Sequence, residues 1–566
     1  MNLSRRDRLE ELEIILKSLG FNPSDRELIM MLYAIVKHRL AAAHIPSSSA
    51  RKVLRLDKWY ILGIMRRLQS MLNSLDDDQL NAVYAMINPP PNQNYLVLVI
   101  GPPGTGKTRV TALGGALFSL KHPDNKVIIT ATSHYACDCA LRYFIDMGFD
   151  KYFVQRIIPY TFNDYANKYG AGYGTRDYYM EWPGTTFISR QTMRFLSEVV
   201  KVYIVTLDSL DRLRFLGRGN VMLVMEEISQ IDEAKLFTVL ANLDKVPLSH
   251  IVFVGDPEQL YNITSQPQLR MSCIRLLKAG PRGPSGIILV PPQQPLPEYR
   301  LQTQYRMDEE ICNLVNFIRT RFLGTFSIRT SPSVRNNLIQ RAVIRFWPSR
   351  LGFNTLDGLV NPLKTVVIVD TSHIFDAHNQ TENRYSIQPL DLRFGNRYEA
   401  ALLTGLTNLI SECLDNRWLL NERVVPKLRI MAPYKDQVSL IRSNLRNYGI
   451  SSIRTVVDRI VTTIDSMQGK ECEIAVISLT RQNLGGFIGF LGEIERLYVA
   501  MSRAKKKLIL VGHLDTFYTS GQIWWRQLVN YLRQRPNQSH KAGLITIGSS
   551  EYQILLNRYR IPVPQP

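Results

Sequence analysis

Short apolar runs alternate with helical segments from residue 94 onward. The first series of runs is NYLVLVI, KVIITAT, KVYIVTL, NVMLVME and HIVFVGD, and all of them precede residue 260. Runs without polar alternation are typical of strands buried on both faces, as in a parallel sheet covered by helices. A second series, TVVIVDT, KLRIMAPY, ECEIAVISL and KLILVGH, follows residue 360. The pattern predicts an α/β protein with two such sheets in tandem.

The segments outside these apolar runs indicate where the predicted domains begin and end. Residues 1–93 read as helices with no chemical signature, so we expect an accessory or packing role, with direct nucleic-acid contact as the alternative. The Pro-rich stretch PRGPSGIILVPPQQPLPEY reads as a connector. The predicted organisation is a helical N-terminal accessory region at 1–93, a first domain at 94–280 with an insertion near 150–195, a connector at 281–299, a second domain at 300–540 and a C-terminal tail at 541–566.

Composition narrows the classes of protein. Of 566 residues, 45% are hydrophobic and 21% charged, which is a balance typical of globular proteins. The sequence contains no apolar stretch of the roughly 18 residues that a membrane helix needs, and its start lacks the apolar run of a secretory signal. The six cysteines form no CxxC pair, which argues against a zinc finger or a disulfide framework. We therefore expect a cytoplasmic or nuclear protein without a membrane partner.

Charge indicates the kind of partner. Lys and Arg total 69 against 49 Asp and Glu, so the formal net charge is 69 − 49 = +20. Such a chain attracts polyanions, and nucleic acid is the commonest large polyanion. A basic protein with no such partner is the alternative that charge alone leaves open.

A phosphate-binding motif follows the first predicted strand. Gly101-Pro102-Pro103-Gly104-Thr105-Gly106-Lys107-Thr108 fits the pattern GxxxxGK[ST] and precedes a predicted helix. In this context, glycines let backbone amides turn toward a phosphate, and the helix N-terminus favours negative charge. Lys107 can bridge the β- and γ-phosphates, and the Thr108 hydroxyl can bind Mg²⁺. The motif predicts ATP and Mg²⁺ as cofactors.

Two acidic residues end a later apolar strand. Glu226 and Glu227 follow VMLVM, which is typical of a site with one carboxylate for the metal and one for the attacking water. We assign Glu226 to Mg²⁺, with Thr108, and Glu227 to the water. Acidic pairs at strand ends are also often merely solvated.

Further motifs carry a family resemblance. Gln304-Tyr305-Arg306-Met307, the segment DSMQGKE at 465–471 and the segment RLYVAMSRA at 496–504 follow the phosphate-binding loop and the segment GDPEQL in order along the chain. Together they resemble the motifs of a superfamily 1 helicase over residues 75–515, in the branch of the nonsense-mediated-decay (Upf-like) RNA helicases. The resemblance implies two RecA-like P-loop domains with ATP bound between them and nucleic acid across them.

The resemblance also implies roles for individual residues. Catalysis falls to Lys107, Glu227, Gln259, Arg306 and Arg503, of which Gln259 senses the γ-phosphate and the two arginines point at it. Outside the phosphate-binding loop, the implied ATP contacts are Gln79 at adenine, Tyr305 stacked on adenine and Glu471 at the ribose.

Nucleic-acid contacts are implied at three positions. Ser133 and His134 occupy the place of helicase motif Ia, and Thr206 that of motif Ic; ordinary capping roles are the alternative. The segment 161–182, TFNDYANKYGAGYGTRDYYMEW, interleaves aromatic and cationic residues. It either stacks on bases of a single strand or forms a self-packed insertion, and the sequence leaves both open.

The chain also departs from the family. Glu226 stands where the family usually has Asp, so its carboxylate reaches one methylene further. The sequence has no cysteine–histidine zinc module before the core, and residues 1–93 leave no room for the family's accessory barrel. The protein partners and RNA grip known for relatives are therefore not assumed here, and protein partners are expected only through the N-terminal helical region.

These observations predict a nucleic-acid-dependent ATPase. We expect a monomer that translocates 5′ to 3′ along single-stranded RNA or DNA and unwinds duplexes. The first alternative is an ATP-gated clamp that remodels ribonucleoprotein without processive unwinding. The second is a P-loop enzyme that acts on a small molecule.

Overall fold

A computed structural model describes most of the chain. The described residues are 63–64, 66–88, 96–121, 124–169, 173–183, 189–217, 219–260, 297–334, 339, 343–374, 395–420, 427–483 and 485–564. The chain divides into two compact units. The first draws its described residues from Met1–Pro257 and Tyr261–Thr303, and the second from Glu258–Leu260 and Gln304–Pro566.

The first unit contains a parallel sheet. Its strands are β1 (Leu96–Ile100), β2 (Lys126–Ala131), β3 (Val154–Ile158), β4 (Tyr179–Glu181), β5 (Val202–Thr206), β6 (Val221–Met225), β7 (Leu248–Gly255) and β8 (Glu298–Arg300). Their order across the sheet is β4-β3-β5-β2-β6-β7-β1-β8, and the paired strands are parallel. The carboxyl ends of these strands therefore lie at one edge, where open α/β sheets bind ligands.

Helices cover this sheet. They are α1 (Asp77–Ile87), α2 (Lys107–Lys121), α3 (His134–Asp146), α4 (Phe162–Tyr169), α5 (Arg190–Glu198) and α6 (Glu233–Asn242). Val97 and Val99 of β1 pack in a core with α1 and α2, while Leu98 and Ile100 on the opposite face are buried as well. Burial on both faces explains why these strands carry no polar alternation.

The second unit contains another parallel sheet. Its strands are β11 (Val366–Asp370), β12 (Leu428–Ala432), β13 (Val461–Thr463), β14 (Cys472–Ser478), β15 (Ala504–Gly512) and β16 (Ala542–Thr546), and a small sheet pairs β9 (Thr303–Gln304) with β10 (Arg329–Thr330). The order is β13-β12-β14-β15-β11-β16. Val366 and Ile368 of β11 contribute to one core, and Val367 and Val369 to another. Alternate residues of one strand thus fill both faces, and the predicted α/β class with two parallel sheets is confirmed.

Helices of the second unit complete these cores. They are α7 (Glu309–Arg321), α8 (Arg397–Cys413), α9 (Asn416–Leu419), α10 (Lys435–Tyr448), α11 (Ser451–Arg454), α12 (Val457–Ile460), α13 (Ile494–Met501), α14 (Leu514–Tyr518), α15 (Ile523–Gln538) and α16 (Ser549–Arg558). Among the described residues, none of the helices has both the length and the apolar character needed to cross a lipid bilayer.

The C-terminal tail expected at 541–566 is wrong. Strand β16 pairs in parallel with β11, and Leu555 and Leu556 of α16 lie in the core of the second unit. The close fit of α16 shows at Gly405, where a Cβ atom would meet Leu555 Cγ at 2.8 Å. Strand β16 is short, and its partner β11 lies far away in the sequence, so no local pattern indicates this pairing.

Two further segments join the sheet and core of the first unit. The segment near 150–195 adds β3 and β4 to the edge of the first sheet, and its assignment as an insertion stays a prediction. In the described part of 1–93, Leu68, Leu72 and α1 pack in the first unit's core, which agrees with the expected packing role. Residues 1–62 and most of the predicted connector, 281–296, lie outside the described residues.

Candidate functional site

The phosphate-binding motif forms the turn between β1 and α2. Gly104 and Gly106 have φ angles of 81° and 78°, in the left-handed region that favours glycine. At Gly101, a Cβ atom would lie 2.5 Å from Lys107 Cγ, so a side chain here would collide with the lysine. These glycines let the loop turn tightly into the N-terminus of α2, which is the geometry that the motif predicts.

Lys107 and Gln79 both contact this loop. Lys107 Nζ donates to the carbonyl oxygens of Gly101 and Pro102. Gln79 Nε2 donates to the Thr105 carbonyl at 2.9 Å, and the Gln79 side chain is buried. Gln79 also completes a capping box with Asp76 at the start of α1. The structure therefore brings Gln79 to the loop, although its amide is bonded to protein in this state and its contact with adenine stays a prediction.

Thr108 and Glu226 lie together beside the loop. Thr108 Oγ1 donates to Glu226 Oε2 at 2.8 Å, and Thr111 Oγ1 donates to Glu226 Oε1. Burial raises the pKa of Glu226, and the charge of Glu227 adds to this effect, while the two hydroxyls and Lys107 oppose it. A cation bound to this carboxylate would offset the effect of burial and stabilise the ionised form of Glu226. The contact of Thr111 was not predicted. Thr111 lies one helical turn after Thr108, and it reaches Glu226 only because α2 packs next to the end of β6.

These oxygens fit Mg²⁺. This ion usually takes one or two protein oxygens and keeps water and substrate phosphates as its other ligands. A hydroxyl and a carboxylate in contact, next to a phosphate-binding loop, match that requirement. Within the described ranges, no cluster of three or more His, Cys, Asp or Glu side chains is placed to hold a metal ion.

Glu227 follows β6 in a strained conformation. Its φ and ψ are 56° and 31°, in the left-handed region that is costly for a residue with a Cβ. Glu227 Oε2 accepts from Thr132 Oγ1 at 2.8 Å and from Ser133 Oγ at 3.2 Å. Thr132 Oγ1 also lies 2.9 Å from Gln230 Oε1. The hydroxyls at the end of β2 thus set the direction of the Glu227 carboxylate.

The contact between Thr132 and Glu227 was not predicted from the sequence. Its importance arises because β2 and β6 are neighbours in the sheet, which no local pattern reveals. Thr130, two residues earlier on β2, offers a matched control, since its buried hydroxyl has no hydrogen-bond partner among the described residues.

We expect Thr132→Val to lower maximal ATP turnover about tenfold, the effect of losing one hydrogen bond to a charged group. Valine keeps the shape of threonine, so the affinity for ATP should stay unchanged. Steady-state kcat and the Kd of ATP check this expectation. Thr130→Val should leave both quantities unchanged. A rise in turnover for Thr132→Val would show instead that the hydroxyl holds the carboxylate away from the reacting water.

The predicted nucleic-acid contacts have protein partners. Ser133 is the N-cap of α3 and accepts from the Ala136 amide at 3.1 Å. Thr206 is buried and donates to Ser209 Oγ at 3.4 Å, at the start of a 3₁₀ helix (Leu207–Leu213). His134 Nδ1 lies 2.9 Å from Arg156 Nη2. Capping, the alternative reading, thus describes Ser133 in this state, and contacts with nucleic acid stay predictions.

In the second unit, Gln304 shapes the segment that carries Tyr305 and Arg306. Gln304 Oε1 accepts from the amides of Arg306 and Met307 at 2.8 and 2.7 Å, and its Nε2 donates to the Met307 carbonyl at 2.7 Å. Gln304 is fully buried, whereas Tyr305 and Arg306 are half-buried. Gln304 therefore has a structural role, because it fixes the backbone of the segment that carries Tyr305 and Arg306.

Arg306 forms an ion pair with Glu471. Arg306 Nε lies 2.8 Å from Glu471 Oε2, and Lys505 Nζ contacts the other carboxylate oxygen. Burial works against ionisation of Glu471, but the charges of Arg306 and Lys505 outweigh it and hold its pKa below the ordinary value. Two positive charges on one carboxylate leave positive charge for a further anion. The predicted ribose contact of Glu471 stays a prediction.

Arg503 is buried nearby. It donates to the carbonyl oxygens of Val499 at 2.8 Å and Lys470 at 3.1 Å, and to Ser502 Oγ at 3.0 Å. Burial and the charge of Arg306 lower the pKa of Arg503 to about 10. The structure thus brings Arg306, Arg503 and Glu471 together. Gln259 is grouped with the second unit, together with Glu258 and Leu260, and its contact with the γ-phosphate stays a prediction.

Comparisons with known proteins agree with this set of motifs. A family described as "AAA domain" matches residues 74–275, and a second family with the same description matches residues 290–515. The chain is similar to "DNA replication ATP-dependent helicase/nuclease dna2" of Schizosaccharomyces pombe, with 25% identity over 465 residues. That alignment covers 80% of this chain and 28% of the relative.

Two yeast proteins are also similar. "Helicase SEN1" of Saccharomyces cerevisiae is 30% identical over 140 residues, which are 24% of this chain and 6% of the relative. "Putative ATP-dependent RNA helicase ECM32" of the same yeast is 27% identical over 330 residues, which are 56% of this chain and 26% of the relative. The alignments thus span less than a third of the length of each of these relatives.

A solved structure shows a weaker likeness. The crystal structure of the DUF1998 helicase MrfA bound to DNA covers 87% of this chain and 56% of that chain, with a TM-score of 0.36 and 11% identity. At this level of similarity the superposition supports no further statement about the chain.

Proposed function

Because the chain belongs to the superfamily 1 helicases, in the branch of the nonsense-mediated-decay (Upf-like) RNA helicases, we propose that it is an ATP-dependent helicase that translocates along single-stranded nucleic acid. The observation that carries the proposal is the site in the first unit. There a phosphate-binding loop, the Thr108–Glu226 pair and the oriented Glu227 lie at one edge of a parallel sheet.

In the proposed reaction, each residue of the first unit has one task. Loop amides and Lys107 bind the β- and γ-phosphates, and Thr108 with Glu226 would hold Mg²⁺. The ion, when bound, neutralises charge on the phosphate oxygens. Glu227 accepts a hydrogen bond or the proton from the attacking water, in the direction that Thr132 and Ser133 set.

The second unit contributes positive charge. Arg306 exchanges its contact with Glu471 for equatorial oxygens of the γ-phosphate, and Arg503 acts beside it. A planar guanidinium suits this task because it binds two oxygens at once. Tyr305 stacks on adenine, Gln79 reads its edge, Glu471 binds the ribose, and Gln259 senses the γ-phosphate.

The substrate is single-stranded RNA or DNA, and the proposed direction is 5′ to 3′. The relatives' names include both a DNA replication helicase and an RNA helicase, so the two substrates must be compared directly. The measurement is the ATPase rate with single-stranded RNA and with DNA at one salt concentration, followed by strand displacement from 5′- and 3′-tailed duplexes. Lys107→Ala serves as the inactive control.

The outcomes separate the alternatives. Stimulated turnover without strand displacement would favour an ATP-gated clamp. Turnover that ignores both polymers would favour an enzyme acting on a small molecule. We propose a monomer; protein partners of residues 1–62, which lie outside the described residues, stay a prediction.

We also expect binding to be mostly electrostatic. The net charge of +20 favours contacts to phosphates, which carry no sequence information. If about five phosphates are neutralised, affinity should fall about a hundredfold between roughly 0.05 and 0.2 M salt, since each contact on a single strand contributes about −0.7 to the slope. Fluorescence anisotropy with labelled oligonucleotides measures this slope. Strong preference for one short sequence that persists at high salt would contradict the expectation.

A further inference from the structure

Four aromatic rings lie close together at the start of α3, along α4 and just before α4. The His134 cluster consists of His134 on α3, Tyr165 and Tyr169 on α4, and Tyr160 just before α4. The His134 and Tyr169 ring centroids are 4.5 Å apart, and those of His134 and Tyr165 are 5.2 Å apart. The ring centroid of Tyr160 lies 5.8 Å from that of His134 and 6.2 Å from that of Tyr169. These residues form one aromatic surface built from two separate parts of the sequence.

The His134 cluster lies at the ligand-binding edge of the first sheet. His134 follows Thr132 and Ser133, whose hydroxyls contact Glu227. Tyr160 follows the carboxyl end of β3, which is parallel to the other strands of that sheet. A ligand on the cluster would therefore lie along the same edge as the phosphate-binding loop, next to the residues that orient Glu227.

A buried polar network holds the cluster. Arg156 is fully buried on β3, and its Nη2 lies 2.9 Å from His134 Nδ1. Arg156 Nε bonds Asp138 Oδ1 at 3.3 Å, and the Tyr165 hydroxyl donates to Asp138 Oδ2 at 2.8 Å. The guanidinium can only donate, so Nδ1 of His134 must accept. Both sides of the cluster are thus fixed to one buried arginine.

His134 therefore offers a ring rather than a charge. Burial, followed by the charges of Arg156 and Lys168, lowers the pKa of His134 to about 4. At neutral pH the imidazole is uncharged, so His134 adds no positive charge to a contact with nucleic acid. An uncharged ring can instead present its face to another flat ring.

The members of the cluster differ in exposure. Tyr165 is buried and supports the others, whereas Tyr169 is 38% exposed and Tyr160 and His134 are half-buried. The exposed Lys168 has its ammonium 5.3 Å from the ring centroids of both Tyr160 and Tyr169. An accessible tyrosine beside a cation is the combination that binds a base and its phosphate in single-stranded nucleic acid.

We propose that Tyr169, supported by His134 and Tyr160, is a stacking platform for a base of the bound single strand, with Lys168 at the adjacent phosphate. The proposal rests on the proposed function and adds a base-contacting residue, Tyr169, outside the helicase motifs. Single-stranded nucleic acid is the occupant that the basic side chain and the position at the sheet edge favour. Because every base has a flat face, the platform tolerates any sequence.

The test compares two oligomers of equal length on the full chain. One is a mixed-sequence single strand, and the other is its abasic counterpart, which keeps the sugar–phosphate backbone. Tyr169→Ala should weaken binding of the first roughly 5- to 150-fold, the range for loss of one stacked base, and should leave binding of the second unchanged. Tyr169→Phe should keep wild-type affinity, because the ring suffices. Phe237→Ala is the matched control, since Phe237 is an exposed ring of the first unit on α6.

Each outcome supports or overturns the proposal. An equal loss on both oligomers would overturn it, because the contact would not involve a base. Unchanged affinity for Tyr169→Ala would also overturn it, while stimulated ATPase activity of the same variant would leave the helicase proposal standing. If the wild-type chain binds neither oligomer and its ATPase ignores nucleic acid, the proposed function fails, and the platform fails with it.

Discussion

Arg306→Ala should lose nearly all turnover stimulated by nucleic acid while keeping most of its affinity for ATP. In the ground state, ATP already has the loop amides, Lys107 and Mg²⁺ in the proposed site. The guanidinium matters most as charge shifts to the equatorial oxygens during transfer, and arginines in this role contribute roughly 10³- to 10⁵-fold in rate. Stimulated kcat and the Kd of ATP are the two quantities to measure.

The environment of Arg306 sharpens this prediction. Its partner Glu471 keeps Lys505 when Arg306 is removed, so the variant does not leave this half-buried carboxylate without a cation. Arg306→Lys should rescue poorly, because a point charge cannot reproduce the planar fork. Arg558→Ala is the control, since Arg558 pairs with Glu412 at the surface of the same unit. Wild-type stimulated turnover in Arg306→Ala would disprove the assignment of Arg306 to the γ-phosphate.

Glu227→Gln should bind ATP normally and turn it over about 10²- to 10⁴-fold more slowly, the usual contribution of a positioned acid or base. Glutamine has the same shape and can accept a hydrogen bond from the Thr132 hydroxyl, but it cannot take a proton from water. Release of γ-phosphate in a single turnover isolates the chemical step. A normal rate would remove Glu227 from that role.

Glu226→Gln provides the contrast. Its carboxylate contacts Thr108 and Thr111, so its replacement should raise the Mg²⁺ concentration needed for half-maximal turnover. Glu227→Gln should leave that concentration unchanged. If the two variants show the same Mg²⁺ dependence, the assignment of one carboxylate to metal and the other to water is wrong.

Several features of the protein were predictable from the sequence because their causes are local. The phosphate-binding loop depends on glycines at positions whose backbone is left-handed. A short sequence motif contains all of these glycines, so the loop can be predicted from it. The strands are continuous apolar runs because both of their faces are buried. The acidic pair was predictable as the end of such a run.

Other features depend on which strands become neighbours. Glu227 meets Thr132 and Ser133 because β2 and β6 are adjacent, although the residues lie more than ninety positions apart. Strand β16 is not predictable from local sequence, because its pairing partner β11 lies far away in the chain. Sheet order and register are set by the packing of whole elements, and no local window contains that information.

The chemical state of a side chain was also decided by tertiary structure. The sequence determined that His134 follows a strand in the place of helicase motif Ia, and this position implied a contact with nucleic acid. The fold puts a fully buried arginine against its Nδ1 and surrounds it with tyrosines from α4. Burial and a neighbouring positive charge both disfavour protonation, so the ring is neutral for a reason that only the packed structure contains.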